Sequence, residues 1–348
     1  MSIPESNEES RQAEINVTEK NSDVVVSMSG GKDSTATYLY LLESGFIEKC
    51  EKQGRRVIRV FADTGWELPE TYDYVEQLQN QFGKIHRVAL WVPIAGEVCP
   101  QNFDHLHPLW ATSRGGNNGF MDGDKAAMAK IVEARIGRYS PMLRLIIQRG
   151  YFPTSVRRWC TDYTKKEPIV SFLSKYDDPT NTIGVRAEES PSRAKFPAWA
   201  WSDDYDCWVW RPIKHWTKSD VISIHNRFGI APNPLYLQGS GACRVGCGPC
   251  VFSGKNDILW LSVNHPERIK IVEDIENMLA EISQEQEQTP KWFCLANERG
   301  KSVGVPIRTA VEWSQTSRGG RQMVMFAGEG KDGCTEWGLC ESVRHENN

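Results

Sequence analysis

Two hydrophobic periods divide the chain. Short, apolar, β-branched runs at 24–28, Val57–Ala62, Ile85–Val92 and Thr182–Val185 have the length and composition of buried strands. Between the first three lie Thr35–Glu48 and Pro69–Phe82, whose patterning predicts helices. Strand–helix alternation of this kind predicts an α/β fold, a doubly wound parallel sheet whose ligand site lies at the carboxyl ends of its strands. Further helices are predicted at Lys125–Gln148, Lys165–Ser174, Trp216–Phe228 (stopped by Gly229 and Pro232) and Pro266–Gln286. The Gly/Asn/Asp-rich stretch Thr112–Lys125 reads as a mobile loop, either a lid over a ligand or a plain surface excursion. The organisation that follows is a polar, disordered arm at 1–22, a nucleotide-binding α/β domain at 23–231 and a Cys-rich, helical C-terminal region at 232–348.

Bulk properties narrow the function classes. A chain of 348 residues can bury one large core or two smaller ones. Its formal net charge of −4 and pI near 6.0 give no global electrostatic case for nucleic acid, leaving only a local basic patch. No apolar stretch reaches the length of a membrane span, and the N-terminus lacks the charged-then-apolar order of a signal peptide. Ten cysteines without such a signal predict a reducing compartment and a soluble, cytoplasmic protein. The thirteen tryptophans read as core or interface residues.

The most specific chemistry follows the first strand. Ser29-Gly30-Gly31-Lys32-Asp33-Ser34 sits between Val24-Val25-Val26 and the helix that starts near Thr35. Two glycines allow a tight turn and close approach of a ligand. The amides and positive dipole end of the helix favour an anion there. Ser29 and Ser34 add hydroxyls, Lys32 adds a cation, and Asp33 could hold a magnesium ion against phosphate oxygens. No Gly-Lys-Ser/Thr closes the string, so it is not a Walker loop. It resembles instead the PP-loop of ATP pyrophosphatases, which implies a grip on the β,γ-pyrophosphate of ATP and transfer of AMP to an acceptor.

Three further clusters carry candidate chemistry. Asp63-Thr64-Gly65-Trp66-Glu67 follows the second strand, where Asp63 could bond a ribose hydroxyl or a metal, or could simply cap the helix at Pro69. Arg157, Arg158, Lys165 and Lys166 surround Cys160; such cations hold oxyanions and depress a thiol pKa, or form a solvated basic face. In Gly184–Arg193, Arg186 and Arg193 could clamp phosphate or sulfate, or pair with the intervening glutamates. Cys243, Cys247 and Cys250 have metal-ligand spacing, and Cys160 brings the set to four thiolates, the number a [4Fe–4S] cluster or a zinc ion needs; a dithiol redox pair is the rival.

Taken in order, these motifs resemble the phosphoadenosine phosphosulfate (PAPS) reductase-like family over residues 24 to 254. The pieces are Ser29–Ser34, Asp63-Thr64, Cys160…Lys165-Lys166…Pro168, Gly184–Arg193, Pro212-Ile213…Trp216…Asp220-Val221 and Gly246–Cys250. The resemblance implies an adenine-nucleotide α-hydrolase-like sheet and favours iron–sulfur over zinc. Two departures matter: the loop is intact, and Trp337 stands where a PAPS reductase carries its nucleophilic cysteine, with Cys334 and Cys340 on either side. A second cysteine beside Cys160, as in adenylylsulfate reductases, is replaced by Thr161. The pattern is closer to the small subunit of ATP sulfurylase and to the sulfur-transfer proteins of DNA phosphorothioation. It implies an enzyme that cleaves ATP to AMP and pyrophosphate and adenylates an acceptor for sulfur transfer. Lys32, Asp33, Arg186 and Arg193 would be catalytic, with ATP and Mg2+ held by Ser29–Ser34, Asp63 and Thr64. Cys160, Cys243, Cys247 and Cys250 would hold the cluster. The implied partners are a small-molecule nucleotide and a protein of a sulfur-transfer system, through which nucleic acid would be reached. The alternatives are a PAPS or adenylylsulfate reductase producing sulfite, and a non-catalytic ATP- and cluster-binding subunit.

Overall fold

The computed structural model describes residues 7–111, 120–155, 157–237, 245–285, 292–298 and 301–316. The elements run α1 (Glu8–Glu19), β1 (Val24–Ser27), α2 (Lys32–Glu43), α3 (Phe46–Lys52), β2 (Val57–Ala62), α4 (Pro69–Phe82), β3 (Ile85–Trp91) and β4 (His105–Pro108). Then come α5 (Gly123–Ile136), α6 (Pro141–Arg149), α7 (Trp159–Thr161), a π-helical turn at Asp162–Lys166, α8 (Glu167–Leu173), β5 (Thr180–Thr182) and α9 (Pro191–Ala194). The remaining described elements are β6 (Trp199–Ser202), β7 (Cys207–Trp210), α10 (Lys218–Phe228), α11 (Lys255–Asn264), α12 (Pro266–Glu285), the β8–β9 hairpin (Cys294–Glu298, Lys301–Val305) and α13 (Ile307–Ser314).

Seven strands form one sheet in the order β4-β3-β2-β1-β5-β7-β6, and all neighbours are parallel except the edge pair β6–β7. This is the α/β architecture the alternation predicts. Strand order reverses between β1 and β5: β2 and β5 flank β1 and both pair with it at Val24, so the crevice at the carboxyl ends of β1 and β5 is the switch point where such sheets bind ligands. Val24, Val25 and Val26 are fully buried, as a central strand covered on both faces requires.

Local chemistry explains where the elements depart from expectation. The helix predicted at Thr35–Glu48 breaks at Gly45, whose φ of 70° stops α2 and starts α3. The one predicted at Lys125–Gln148 is two: Gly137 (φ 68°) ends α5, then Ser140 caps α6 with Pro141 in its first turn. β5 is the wholly buried Thr180-Asn181-Thr182 and not Thr182–Val185, a polar strand that hydropathy cannot find. β6 and β7 account for a block of the tryptophans: Trp199 stacks on Trp208 with centroids 5.0 Å apart.

The arm expected to be disordered is corrected over Glu8–Glu19. Asn7 caps α1 by accepting from the Ser10 amide at 2.9 Å, and Ala13 and Val17, one turn apart, are buried. Glu9 then accepts hydrogen bonds from Lys214 Nζ (2.9 Å) and the Ala198 amide (2.7 Å). Two apolar positions and two carboxylates, Glu9 and Glu14 (the latter accepting from the Tyr40 hydroxyl at 2.8 Å), thus dock a sequence that is polar overall. The C-terminal elements pack onto the sheet domain, since Leu143 and Ile146 of α6 share a core with Ile271, Ile275 and Leu279 of α12 and Ile307 of α13. Among the described residues no helix is long and apolar enough to cross a membrane. Most of the predicted loop, 112–119, lies outside the described residues.

Candidate functional site

The Ser29–Ser34 loop joins β1 to α2 at the switch point. Gly30 has a φ of 72°, and a Cβ there would stand 3.0 Å from the Thr71 methyl group. Ser34 locks the turn: its hydroxyl donates to the Gly31 carbonyl (2.9 Å), lies 3.0 Å from the Ser29 hydroxyl and accepts from the Ser29 amide (3.1 Å). Two amides at the start of α2 have only long bonds, Gly31 to Ser29 Oγ and Lys32 to the Tyr236 hydroxyl, each 3.4 Å. Contacts of that length exchange readily for a phosphate oxygen.

Asp33 is the electrostatic centre of the loop. Its carboxylate accepts from Lys32 Nζ and from Arg186 Nε, both at 2.6 Å. Burial would raise its pKa, but Lys32 and Arg186 outweigh that and hold the carboxyl below its ordinary value. Each oxygen accepts from one cation, so Asp33 here neutralises Lys32 and Arg186. Arg186 reaches across because Gly184 lets the chain after β5 touch the loop; a Cβ at Gly184 would fall 2.6 Å from the Asp33 carbonyl oxygen. Arg193 is not brought in: it lies on α9, half exposed, paired with Glu189.

Three residues distant in sequence complete the loop's support, and local spacing gave no sign of them. The Asn233 amide donates to the Gly30 carbonyl (3.1 Å), and the His225 ring lies 3.0 Å from the Lys32 carbonyl. The Tyr236 ring lies 5.5 Å from the Lys32 ammonium. An Asn-Pro turn and a helix terminus are ordinary signals until the fold carries them to the Ser29–Ser34 loop.

Asp63 and Thr64 are buried and turned inward. Asp63 accepts from the Gly65 amide (2.8 Å), the Tyr72 hydroxyl (2.7 Å) and Arg87. Thr64 donates to Glu67 at 2.7 Å. In this arrangement they build the turn after β2, and their side-chain bonds are made within the protein.

Against that turn packs the Cys247–Cys250 loop: the Gly248 amide donates to the Trp66 carbonyl (3.1 Å) and the Trp66 indole to the Pro249 carbonyl (3.2 Å). The Thr64 hydroxyl lies 3.8 Å from Cys247 Sγ. Cys160, Cys247, Cys250, Glu67 and Lys165 stand close enough to act on one another electrostatically. Burial pushes the Cys160 and Cys247 thiols up, so the expectation that nearby cations depress the Cys160 pKa is corrected. Of those cations Lys165 faces the thiols, and Lys166 turns away to Asp204 at 2.9 Å. Burial opposes the Lys165 charge, but the neighbouring acidic groups of Cys247, Glu67 and Cys250, which share protons with it, raise its pKa above the ordinary value. Lys165 sits in the π-helical turn, a local distortion common at functional sites.

Cys243, the fourth predicted ligand, and Cys334, Trp337 and Cys340 lie outside the described residues. Among the described residues no three His, Cys, Asp or Glu side chains already stand in metal-binding geometry. The donor chemistry nevertheless fits a thiolate-held metal: a metal would deprotonate the half-buried thiols of Cys160, Cys247 and Cys250, and the Lys165 ammonium would balance the resulting negative charge.

A glycine-tight loop at the switch point of a mostly parallel sheet defines the class, an α/β protein with its crevice at the carboxyl ends of β1 and β5. Residues 23–113 and 127–252 match the phosphoadenosine phosphosulfate reductase domain, and the chain belongs to that family. It is 32% identical over 324 residues to a 37.8 kDa protein of the gpa 5' region of Escherichia phage 186, covering 87% of this chain and 91% of that one. It is 24% identical over 209 residues to the adenosine 5'-phosphosulfate reductase of Allochromatium vinosum, covering 60% of this chain and 64%, under two thirds, of that enzyme. A crystal structure of the PAPS reductase from Candida auris resembles it with a TM-score of 0.37 and 13% identity, over 72% of this chain and 99% of that one.

Proposed function

We propose that the protein binds ATP with its β,γ-pyrophosphate on Ser29–Ser34 and transfers the adenylyl group to an acceptor destined for sulfur transfer. An acceptor oxygen attacks the α-phosphorus, a new P–O bond forms, and the bond to the β-phosphate oxygen breaks with pyrophosphate as leaving group. The observation that carries this reading is the intact loop with Lys32, Asp33 and Arg186 joined across the switch point. Pyrophosphate would displace Asp33 from the two cations, so the charge now compensated by a carboxylate would stabilise the leaving group. The long Gly31 and Lys32 amide contacts supply donors at the dipole end of α2.

A [4Fe–4S] cluster held by Cys160, Cys243, Cys247 and Cys250 would supply redox or sulfur chemistry when bound. Lys165 would sit against it as counter-charge, with Glu67 and Thr64 behind Cys247. Mg2+ would enter with ATP. The relatives' activity favours a second reading, reduction of adenylylsulfate or PAPS to sulfite through Cys334 or Cys340. Incubation with ATP and, separately, with PAPS or adenylylsulfate plus thioredoxin separates them. AMP and pyrophosphate without sulfite support adenylyl transfer. Sulfite lost on Cys334→Ser or Cys340→Ser supports reduction, and ADP with orthophosphate contradicts both.

A further inference from the structure

Buried arginines of this fold differ in their partners: Arg144 pairs with Glu97 and Glu133 and Arg186 with Asp33 and Glu188, whereas Arg55 donates to the Ser22 and Val17 carbonyls and Arg211 to the Pro197 carbonyl. Two guanidiniums without a carboxylate gather at the end of β2. Arg138, just beyond α5, lays its guanidinium 3.5 Å from the centre of the Tyr72 ring. Arg268, in the first turn of α12, is 3% exposed, lies 4.5 Å from the Trp66 ring and donates to the Glu67 carbonyl at 3.0 Å. Among the described residues neither has a carboxylate partner, and Arg138 Nε and Arg268 Nη1 are buried without a hydrogen bond. Arg87, 6.0 Å from the same Tyr72 ring, pairs with Asp63 and also leaves its Nε without a hydrogen bond. The carboxylates around them are Asp63, Glu67 and Glu267: Asp63 and Glu67 face the Tyr72 hydroxyl, Glu267 acts on Arg268 from the neighbouring position, and among the described residues only Asp63 makes an ion pair with one of these arginines, Arg87.

We propose that Arg138 and Arg268, with Arg87 at the rim, form a second oxyanion site that takes a phosphate or sulfate group of the acceptor. The identification of the ligand as the acceptor rests on the adenylyl-transfer reading; the site itself does not. A buried guanidinium without an anion is costly, and a tetrahedral oxyanion supplies the missing charge and acceptors together. Stacking on Tyr72 and Trp66 fixes the planes of the two guanidiniums, so their donors are oriented before the ligand arrives. The site belongs to the β2 turn and α12, whereas the nucleotide loop has its own cations, Lys32 and Arg186.

Calorimetric titration of the full chain tests this, first without nucleotide and then saturated with a non-hydrolysable ATP analogue. The probes are inorganic sulfate, inorganic phosphate and a short single-stranded oligodeoxynucleotide. Binding of any probe to the analogue-loaded protein, weakened at least tenfold by Arg138→Gln and less by Arg138→Lys, supports the site. Binding of the oligonucleotide alone assigns the group to a phosphodiester, and binding of the small anions assigns it to a free oxyanion. No binding in wild type, or undiminished binding in Arg138→Gln, overturns it. If Arg138→Gln fails to fold by its melting curve, Arg268→Gln decides by the same criterion. Failure of the analogue to bind would defeat the adenylyl-transfer reading while the nucleotide-free titration still judges the oxyanion site.

Discussion

Arg186 donates to Asp33 across 2.6 Å, tying the segment after β5 to the loop after β1 over the reversal in strand order. The contact depends on the missing side chain at Gly184, which brings the two segments together. Gly184→Ala would place a methyl group 2.6 Å from the Asp33 carbonyl oxygen, with backbone on both sides. Overpacking of this kind costs about 1–3 kcal/mol. Differential scanning fluorimetry should show a lower melting temperature, and the variant should lose nucleotide affinity because the strain falls on the loop itself.

Arg186 and Arg193 should separate cleanly. Arg186→Ala removes a nearly buried charged hydrogen bond and should weaken ATP binding by roughly ten- to a hundredfold. Arg193→Ala breaks an exposed pair with Glu189 and should change affinity by less than about threefold. Equal losses would restore Arg193 to the site.

A pH-dependent clamp lies away from the loop. Glu276 of α12 accepts the Phe293 and Ile307 amides, both at 2.9 Å, holding the hairpin and α13 to the core. Burial raises its pKa from 4.5 to about 7, and the two amides offset only part of that rise. Because the folded value lies above the unfolded one, its stabilising contribution is complete below pH 4.5 and is lost as pH rises through 7. The loss is on the order of 3 kcal/mol. Melting temperatures from pH 4 to 8 should fall more steeply for wild type than for Glu276→Gln; parallel curves would contradict this.

Protein purified without oxygen should be brown and contain about four irons per chain, the content of a [4Fe–4S] cluster. Cys247→Ser should remove the iron. Stoichiometric zinc without iron would point to a structural metal at the same thiolates.

What the sequence disclosed, and what it hid, follows from the range of the interactions. β1, the Ser29–Ser34 turn and α2 are legible because apolar run, glycines and helix start are contiguous. Pro69–Phe82 is legible from its first-turn proline and amphipathic repeat. β5 is hidden because a buried Thr-Asn-Thr violates the hydropathy of a core strand, and α1 because two apolar residues and two carboxylates suffice to dock it. Asn233, His225 and Tyr236 reach the loop from about two hundred residues away, a relationship no local spacing encodes. Asp63 was legible as a residue of the β2 turn, but its inward bonding to Arg87 and Tyr72 emerges only when β3 and α4 are in place.

The central claim is that Ser29–Ser34 grips the pyrophosphate end of ATP, and a calorimetric comparison of ATP, AMP and inorganic pyrophosphate tests it most directly. ATP should bind at least a hundredfold more tightly than AMP, pyrophosphate should compete with it, and Lys32→Ala should erase the difference. AMP binding as tightly as ATP, with no response to Lys32→Ala, would contradict it.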